Sequence, residues 1–467
     1  MRNTLYCFTL DLRIADNHLL QAAIDQSKAI SFVYVVDPSW FKPSNYHHQP
    51  VGELRRQFIW QSLQDLQQEL SSQGFDLTIL YGETVGVLST LLRTGHFDSL
   101  AMAETAGVYE SQQRQALLQL HPDVQLLSDW SHTLYTPSQL RSAKCHPEQQ
   151  QGWKSFSYFR RKVEKANLKP FALQSSHFIG VQPIRLEHII SQDKELKTAT
   201  LEHLQIGSLA ARAASAAGSD LYGHYAYQLL GGERAAHDHL QDYFLSGAAS
   251  TYKQTRNALD GRYTATGFSP YLAIGNLSPR QVYWSLKQFE QHHGGNESTY
   301  WIYFELLWRE YFQWLALAAK HRLFRFRGLV DSGPLTSFFP ERFEKWCQGN
   351  TPYPIVNACM HQLNATGFMS NRGRQLVASC LVNELGVDWR YGAAYFQQQL
   401  IDYDVASNWG NWQYIAGVGV DPRGGRHFNL NKQTQMFDPD GDFIRRWQGQ
   451  GDGAALDSVD AVDWPVV

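Results

Sequence analysis

Residues 29–36 read AISFVYVV, a β-branched and aromatic run broken by a single serine. Its length and composition predict a strand. Working outward, Leu5–Leu10, Leu77–Tyr81, Ser99–Ala103 and Val124–Leu127 are short apolar runs of the same kind. Between them Phe58–Leu70 and Val85–Leu92 show the spacing of helices. Strands alternating with helices predict an α/β domain with a doubly wound parallel sheet over residues 1–132. No Gly-x-Gly-x-x-Gly turn follows the first strand, so the dinucleotide fingerprint is absent.

From 133 to 205 Pro137, Pro147, Pro170 and Pro183 interrupt any long element, which predicts a connector. From 206 to 447 the pattern is helical, predicting an all-α domain. Ser269-Pro270 and Ser278-Pro279 each read as an N-cap serine before a proline at the first helical position. The second helix is expected to end at Gly294-Gly295. Residues 448–467 carry acidic residues, glycines and no basic residue, which predicts a solvated, flexible tail.

Other features bound the function. The 467 residues suggest two domains. No apolar run is long enough to span a membrane, and Asp11 and Arg13 interrupt any signal-peptide core, so a cytoplasmic protein is expected. Five scattered cysteines without a Cys-x-x-Cys pair argue against disulfides and a metal site. A net charge of −3 argues against a nucleic-acid binder unless a local basic face exists. Aromatic content is 13%, and of 14 tryptophans only Trp40, Trp60 and Trp130 precede residue 150. Either a large helical core or stacking surfaces and electron relays would use them.

Three segments carry chemistry. In TYWIYFELLWREYFQWLAL (299–317), Glu305, Trp308 and Arg309 share a helix face. They make either a solvated ion pair or a platform for a stacking, phosphate-bearing ligand. In ATGFMSNRGRQLVASCLV (365–382), Asn371 and Arg374 share a face, while Gly367 and Gly373 mark close approach of another group. In LIDYDVASNWGNWQYIAGVGVDP (400–422), Asp404, Asn408 and Trp412 are spaced to align on a helix. Asp402 and Asp404 put carboxylates into an apolar segment, which demands partners such as Arg374. An acid–base pair of the glycosidase kind suits the surrounding aromatics less well.

The stretches DLRIADNHLL (11–20), YKQTRNALDG (252–261), TGFSPYLAIGNLSPRQ (266–281), FELLWREYF (304–312), TGFMSNRGRQLVAS (366–379) and IDYDVASNWGNWQY (401–414) resemble the photolyase/cryptochrome family. GWKSFSYFRRKVE (152–164) and DPRGGRHFNLNKQTQMFDPDGDFIRRW (421–447) are similar to its cryptochrome DASH branch. The resemblance runs from near residue 5 to about residue 448.

That resemblance implies FAD in the helical domain. Tyr252 and the turn Thr266, Gly267, Phe268 and Ser269 would meet its phosphates and ribitol, as a helix start could. Arg374, Asp402, Asp404 and Asn408 would lie along the flavin, with Asn408 favouring its reduced form. The resemblance further implies repair of cyclobutane pyrimidine dimers by an electron from excited reduced FAD. Glu305, Trp308, Met369, Asn371 and Tyr414 would form the dimer pocket, and Arg256, Arg309 and Arg372 would contact DNA. Tyr414 replaces a tryptophan wall, which implies a preference for single-stranded DNA, where unstacking costs less. Trp412 and Trp389 would be the proximal and middle members of an electron relay. Its distal member is missing, since that region reads GPLTSFFPERF, with Thr336 and Phe338; Trp346 or a tyrosine would have to serve as exit. The α/β domain would bind 5,10-methenyltetrahydrofolate as antenna, with Glu104 as its contact. The alternative implied role is a blue-light photoreceptor with residual DNA binding.

Overall fold

The AISFVYVV stretch lies inside the ten-residue strand β2 (Ser27–Val36) of a seven-stranded sheet. The computed structural model describes residues 2–150, 152, 154–206, 229–420, 424–453 and 456–457. With β1 (Arg2–Phe8), β3 (Leu77–Tyr81), β4 (Ser99–Met102) and β5 (Gln125–Leu127), β2 forms a parallel sheet in the order β5-β4-β1-β2-β3. The chain turns back at β1, so the doubly wound expectation holds. Helices α1 (His18–Gln26), α2 (Glu53–Ser72), α3 (Thr84–Arg93) and α4 (Val108–Leu120) cross between the strands. In α2, Phe58, Ile59, Leu63, Leu66 and Leu70 are buried at helical spacing.

The connector holds more structure than its prolines suggested. It contains α5 (Pro137–Ser142), α6 (Phe156–Lys165) and α7 (Glu187–Gln192). Two two-residue strands add to the sheet: β6 (Gln182–Pro183) beside β2, and β7 (Lys197–Thr198) antiparallel to β3. Elements this short have no periodicity to read and depend on tertiary contact.

Of the helical start expected at 206, residues 207–228 lie outside the described residues; the next described helix is Glu233–Leu245. Ser278 caps Pro279–His293 with a full capping box, and Gly294 ends that helix. Ser269 departs from expectation. It is the first helical residue of Ser269–Ile274, Phe268 is the cap, and the serine hydroxyl is used elsewhere. The described part of the acidic tail is tied down at several points, while residues 451–453 stay exposed. Arg342 holds the Asp457 carboxylate at 2.7 and 2.5 Å, and Asn357 donates to the carbonyl of Gly449 at 3.0 Å. A tail without cations finds countercharge on the Pro340–Gln348 helix. No helix among the described residues is long and apolar enough to cross a membrane.

Buried charges fasten the helical elements to the α/β domain. Arg280 meets Asp16 at 2.9 Å, with side chains 3% and 1% exposed. Arg13 donates to the carbonyls of Gly275 (3.0 Å) and Ser131 (2.5 Å). Glu233 accepts from the N–H groups of Ile14 and Ala15 at 2.7 and 2.8 Å. Glu310 accepts from those of Leu134 and Tyr135 at 2.7 and 3.0 Å. Gly275 sits at φ +86°, where a Cβ would stand 2.2 Å from the Leu10 carbonyl oxygen, so only glycine fits this approach.

Removing one partner of a buried pair leaves a stranded charge, at a cost of about 3–5 kcal/mol. Arg280→Ala is therefore expected to lower the urea midpoint sharply. Arg445→Ala, which breaks an exposed pair with Asp442, is expected to shift stability by less than about 1 kcal/mol.

Candidate functional site

A buried cluster in the helical domain is built on Asp402, between the helices Trp389–Gln399 and Val405–Ala416. Its side chain is 2% exposed. One carboxylate oxygen, Oδ2, accepts from Arg374 Nη2 at 2.8 Å and from the Ser269 hydroxyl at 2.7 Å. Arg374 is fixed in turn by its Nε–H on the Met369 carbonyl at 2.8 Å. The expected Arg374–Asp402 pair is thus present, and Ser269 joins it instead of capping its helix. The other oxygen, Oδ1, is buried without a partner among the described residues. An unmatched buried acceptor is costly and calls for a donor from a ligand.

Asp402, Arg374 and Ser269 line a cavity with about 750 Å³ of empty space, part of it open to solvent. Tyr252, Thr266, Phe268, Glu305 and Asp404 share its wall. Gly267, at φ +66°, forms the turn between Thr266 and Phe268. Asp404 caps its helix, accepting from Ser407 N–H at 2.6 Å, and its second oxygen accepts from Gln313 Nε2 at 2.7 Å. One turn on, Asn408 donates its Nδ2–H to the Ala393 carbonyl at 3.0 Å. A guanidinium–carboxylate pair, a hydroxyl, an orphaned acceptor and aromatic walls in one cavity fit a cofactor with polar and flat parts.

At the wall formed by helix Glu297–Ala319, Glu305 accepts from Arg256 Nη2 at 2.5 Å. Burial pushes its pKa up, while Arg256 and the Trp301 indole oppose the shift. Arg372 donates to Asn257 Oδ1 at 3.0 Å and lies over the Phe437 ring at 4.8 Å. Trp308 stacks on Phe156, centroids 3.7 Å apart and 12° from parallel. Tyr414 meets Trp308 edge-on at 6.1 Å and 75°, and its hydroxyl accepts from Arg426 at 2.6 Å. The two rings form a corner. Asn371 is the exposed first residue of its helix.

Three expected contacts are corrected. Arg309 does not reach outward to DNA; it donates to the carbonyls of His132 (2.7 Å) and Leu272 (3.0 Å) and serves the domain clamp. Met369 is fully buried, filling the space above Gly373 against Cys359, and presents no pocket surface. Glu104 is bound to Arg114 at 2.5 Å and accepts from Ser128 at 3.0 Å, so each of its oxygens already has a protein partner.

Among the candidate electron carriers, Trp412 packs its ring where a Cβ on Gly392 would lie, 2.2 Å from its Cη2. Gly392 is one turn beyond Trp389 on helix Trp389–Gln399. The Trp412 ring also touches Phe396 (5.2 Å) and Trp346 (6.2 Å). Trp389 touches Trp409 at 5.8 Å. Sequence reasoning passed over Trp409, as it did Glu310 and Gln313. The signal for Glu310 was available: an acid inside an otherwise apolar helix must be satisfied.

Residues 4–175 match the family model for DNA photolyase, and residues 301–455 match that for the FAD binding domain of DNA photolyase. A cryptochrome DASH of Idiomarina loihiensis is 47% identical, covering 99% of this chain and 96% of its own. One of Vibrio parahaemolyticus is 45% identical, covering 99% and 97%. Among solved structures, a Synechocystis cryptochrome is 35% identical with a TM-score of 0.85, over 95% of this chain and 88% of its own. A class III photolyase of Agrobacterium tumefaciens is 26% identical with a TM-score of 0.77, over 95% and 86%. The cavity's chemistry agrees with an FAD-binding domain.

Replacing Asp402 by alanine removes the partner of Arg374 and Ser269, charge-assisted bonds worth about 1.5–3 kcal/mol each. Titration of the apoprotein with FAD is expected to show affinity weakened by roughly tenfold or more, since 1.4 kcal/mol is a factor of ten.

Proposed function

The chain belongs to the photolyase/cryptochrome family, in its cryptochrome DASH branch, and we propose that it splits cyclobutane pyrimidine dimers in single-stranded DNA under light. The observation that carries this reading is the single cavity that holds both the Asp402–Arg374–Ser269 anchor and Glu305. A flavin held by the first lies beside anything bound at the second. Bound FAD supplies the light-driven electron; the chain supplies position and electrostatics.

Each residue's part follows from its surroundings. Asp402 offers its free oxygen to a ligand donor, and Arg374 keeps that carboxylate in place. Asn408, its Nδ2–H engaged by Ala393, has its carbonyl oxygen left to accept from the flavin edge. Glu305, its pKa raised by burial, is suited to hydrogen-bond a pyrimidine carbonyl that gains charge. Arg256 and Arg372 stand at the rim for backbone phosphates. Asn371, exposed at a helix start, completes the rim.

The corner of Trp308 and Tyr414 supports the single-strand preference. It offers less stacking surface than two facing indoles, so it offsets less of the cost of extruding a dimer from duplex. The same closed corner favours a second reading, a blue-light photoreceptor that binds DNA without repairing it.

As antenna we propose 5,10-methenyltetrahydrofolate at the domain cleft. Glu110 replaces Glu104 as its acidic contact in this reading. Burial raises the Glu110 pKa, Arg114 and Arg55 oppose, and the Arg55 guanidinium lies 4.7 Å over the Tyr403 ring.

Under blue light, with the flavin chemically reduced, dimers in an oligonucleotide are expected to be repaired several-fold faster single-stranded than in duplex. Glu305→Ala is expected to depress both rates. Equal turnover on the two substrates would remove the single-strand preference, and binding without repair on either would favour the photoreceptor.

A further inference from the structure

The relay implied by Trp412 and Trp389 has no tryptophan at its outer end. Thr336 carries no ring, and Phe338 stacks on Tyr391 at 3.9 Å and 13°. A phenyl group is too hard to oxidise to pass a hole onward. Trp389 is itself fully buried, with its indole N–H on the Phe326 carbonyl at 3.1 Å, so it cannot meet solvent.

A different ring chain leaves Trp389. Trp409 lies 5.8 Å from it at 77° and is 4% exposed. The Trp409 indole N–H donates to the Tyr403 hydroxyl at 3.2 Å, and its ring reaches Tyr46 at 6.2 Å. Tyr46 is half-buried, in the loop before α2, with the Arg390 guanidinium 5.9 Å from its ring. Two buried indoles therefore lead to a phenol in reach of water.

We propose that Trp409 is the third tryptophan of the relay and Tyr46 its terminal donor. The inference rests on the flavin reading above. One electron leaves Trp412 for the light-excited oxidised flavin. The hole passes to Trp389, then to Trp409, and Tyr46 fills it, losing one electron and its phenol proton to water. The resulting neutral tyrosyl radical is returned to tyrosine by one electron and one proton from an external thiol. Burial raises the Tyr46 pKa, and the nearby Arg390 cation opposes that rise.

The competing branch is less suited. Trp346 touches Trp412, but it is fully buried and leads to Tyr395, which is 7% exposed. The Tyr395 hydroxyl donates to Asn364 Oδ1 at 2.6 Å, away from water. A hole arriving there has no base to take the proton.

The test uses the flavin-loaded protein, laser excitation and time-resolved absorption with electron paramagnetic resonance. In the unmodified protein a tryptophan radical is expected to give way to a tyrosyl radical. Tyr46→Phe, which keeps the ring and deletes only the hydroxyl, is expected to lose the tyrosyl signal and to return its hole to the flavin. Trp409→Phe, checked for flavin content, is expected to do the same, and Trp346→Phe to leave the tyrosyl yield unchanged. A tyrosyl radical that survives Tyr46→Phe, one that is lost only in Trp346→Phe, or none in the unmodified protein would overturn the route. Dimer repair by the unmodified protein after chemical reduction bypasses the relay, so failure of the proposed function is read separately.

Discussion

Charge buried between the domains sets the rest of the structure. Asp16 with Arg280, and Arg13, Glu233, Glu310 and Arg309 on backbone groups across the boundary, are each expensive to bury alone. Together they are satisfied in one docking of the helical elements on the loops after β1 and β5 and before α5. Slippage would strand several charges at once, so the geometry is enforced by the alternatives as much as by its own bonds. The cavity inherits that rigidity. Arg309 holds the Leu272 carbonyl while lining the same cavity as Glu305, and Glu310 sits next to it on the same helix.

The same division of labour separates arginines that look alike in the sequence. Arg309 shares a helix face with Glu305, and both reach the cavity. Spacing gives that much. It does not say that the loop at His132 crosses above the guanidinium, and a planar fork with several donors suits two carbonyls as well as it suits phosphate. Arg256 and Arg372 meet side-chain oxygens and stay partly exposed. The difference between a clamp and a contact lay in the other domain's backbone.

The sequence was most legible where one residue demanded another. Five of the strands follow from β-branched runs, and Asp402 in an apolar segment required a cation, which Arg374 is. It was least legible where the partner was a backbone group or a packing gap. Ser269 next to proline has the form of a cap whose oxygen would accept from a helix N–H, but its hydroxyl instead donates to the Asp402 carboxylate. Met369 fills the space that Gly373 leaves, and Glu104 meets Arg114 from a helix that the strand pattern did not announce. Acidic residues beyond 448 signalled solvation, and only the fold brings Arg342 to them.

The aromatic excess resolves in the same way. Trp409 and Trp412 are three apart on one helix, about 60° round its axis from each other. Trp412 therefore points at Gly392, while Trp409 points at the loop carrying Tyr46. Trp389 lies one turn from Gly392 on the facing helix, and its ring contact is with Trp409. Phe338 stacks on Tyr391 and packs this end of the helix with a ring that is hard to oxidise. Packing and electron transfer ask different things of a ring, so a phenyl stack can hold this corner of the fold without offering a step for charge.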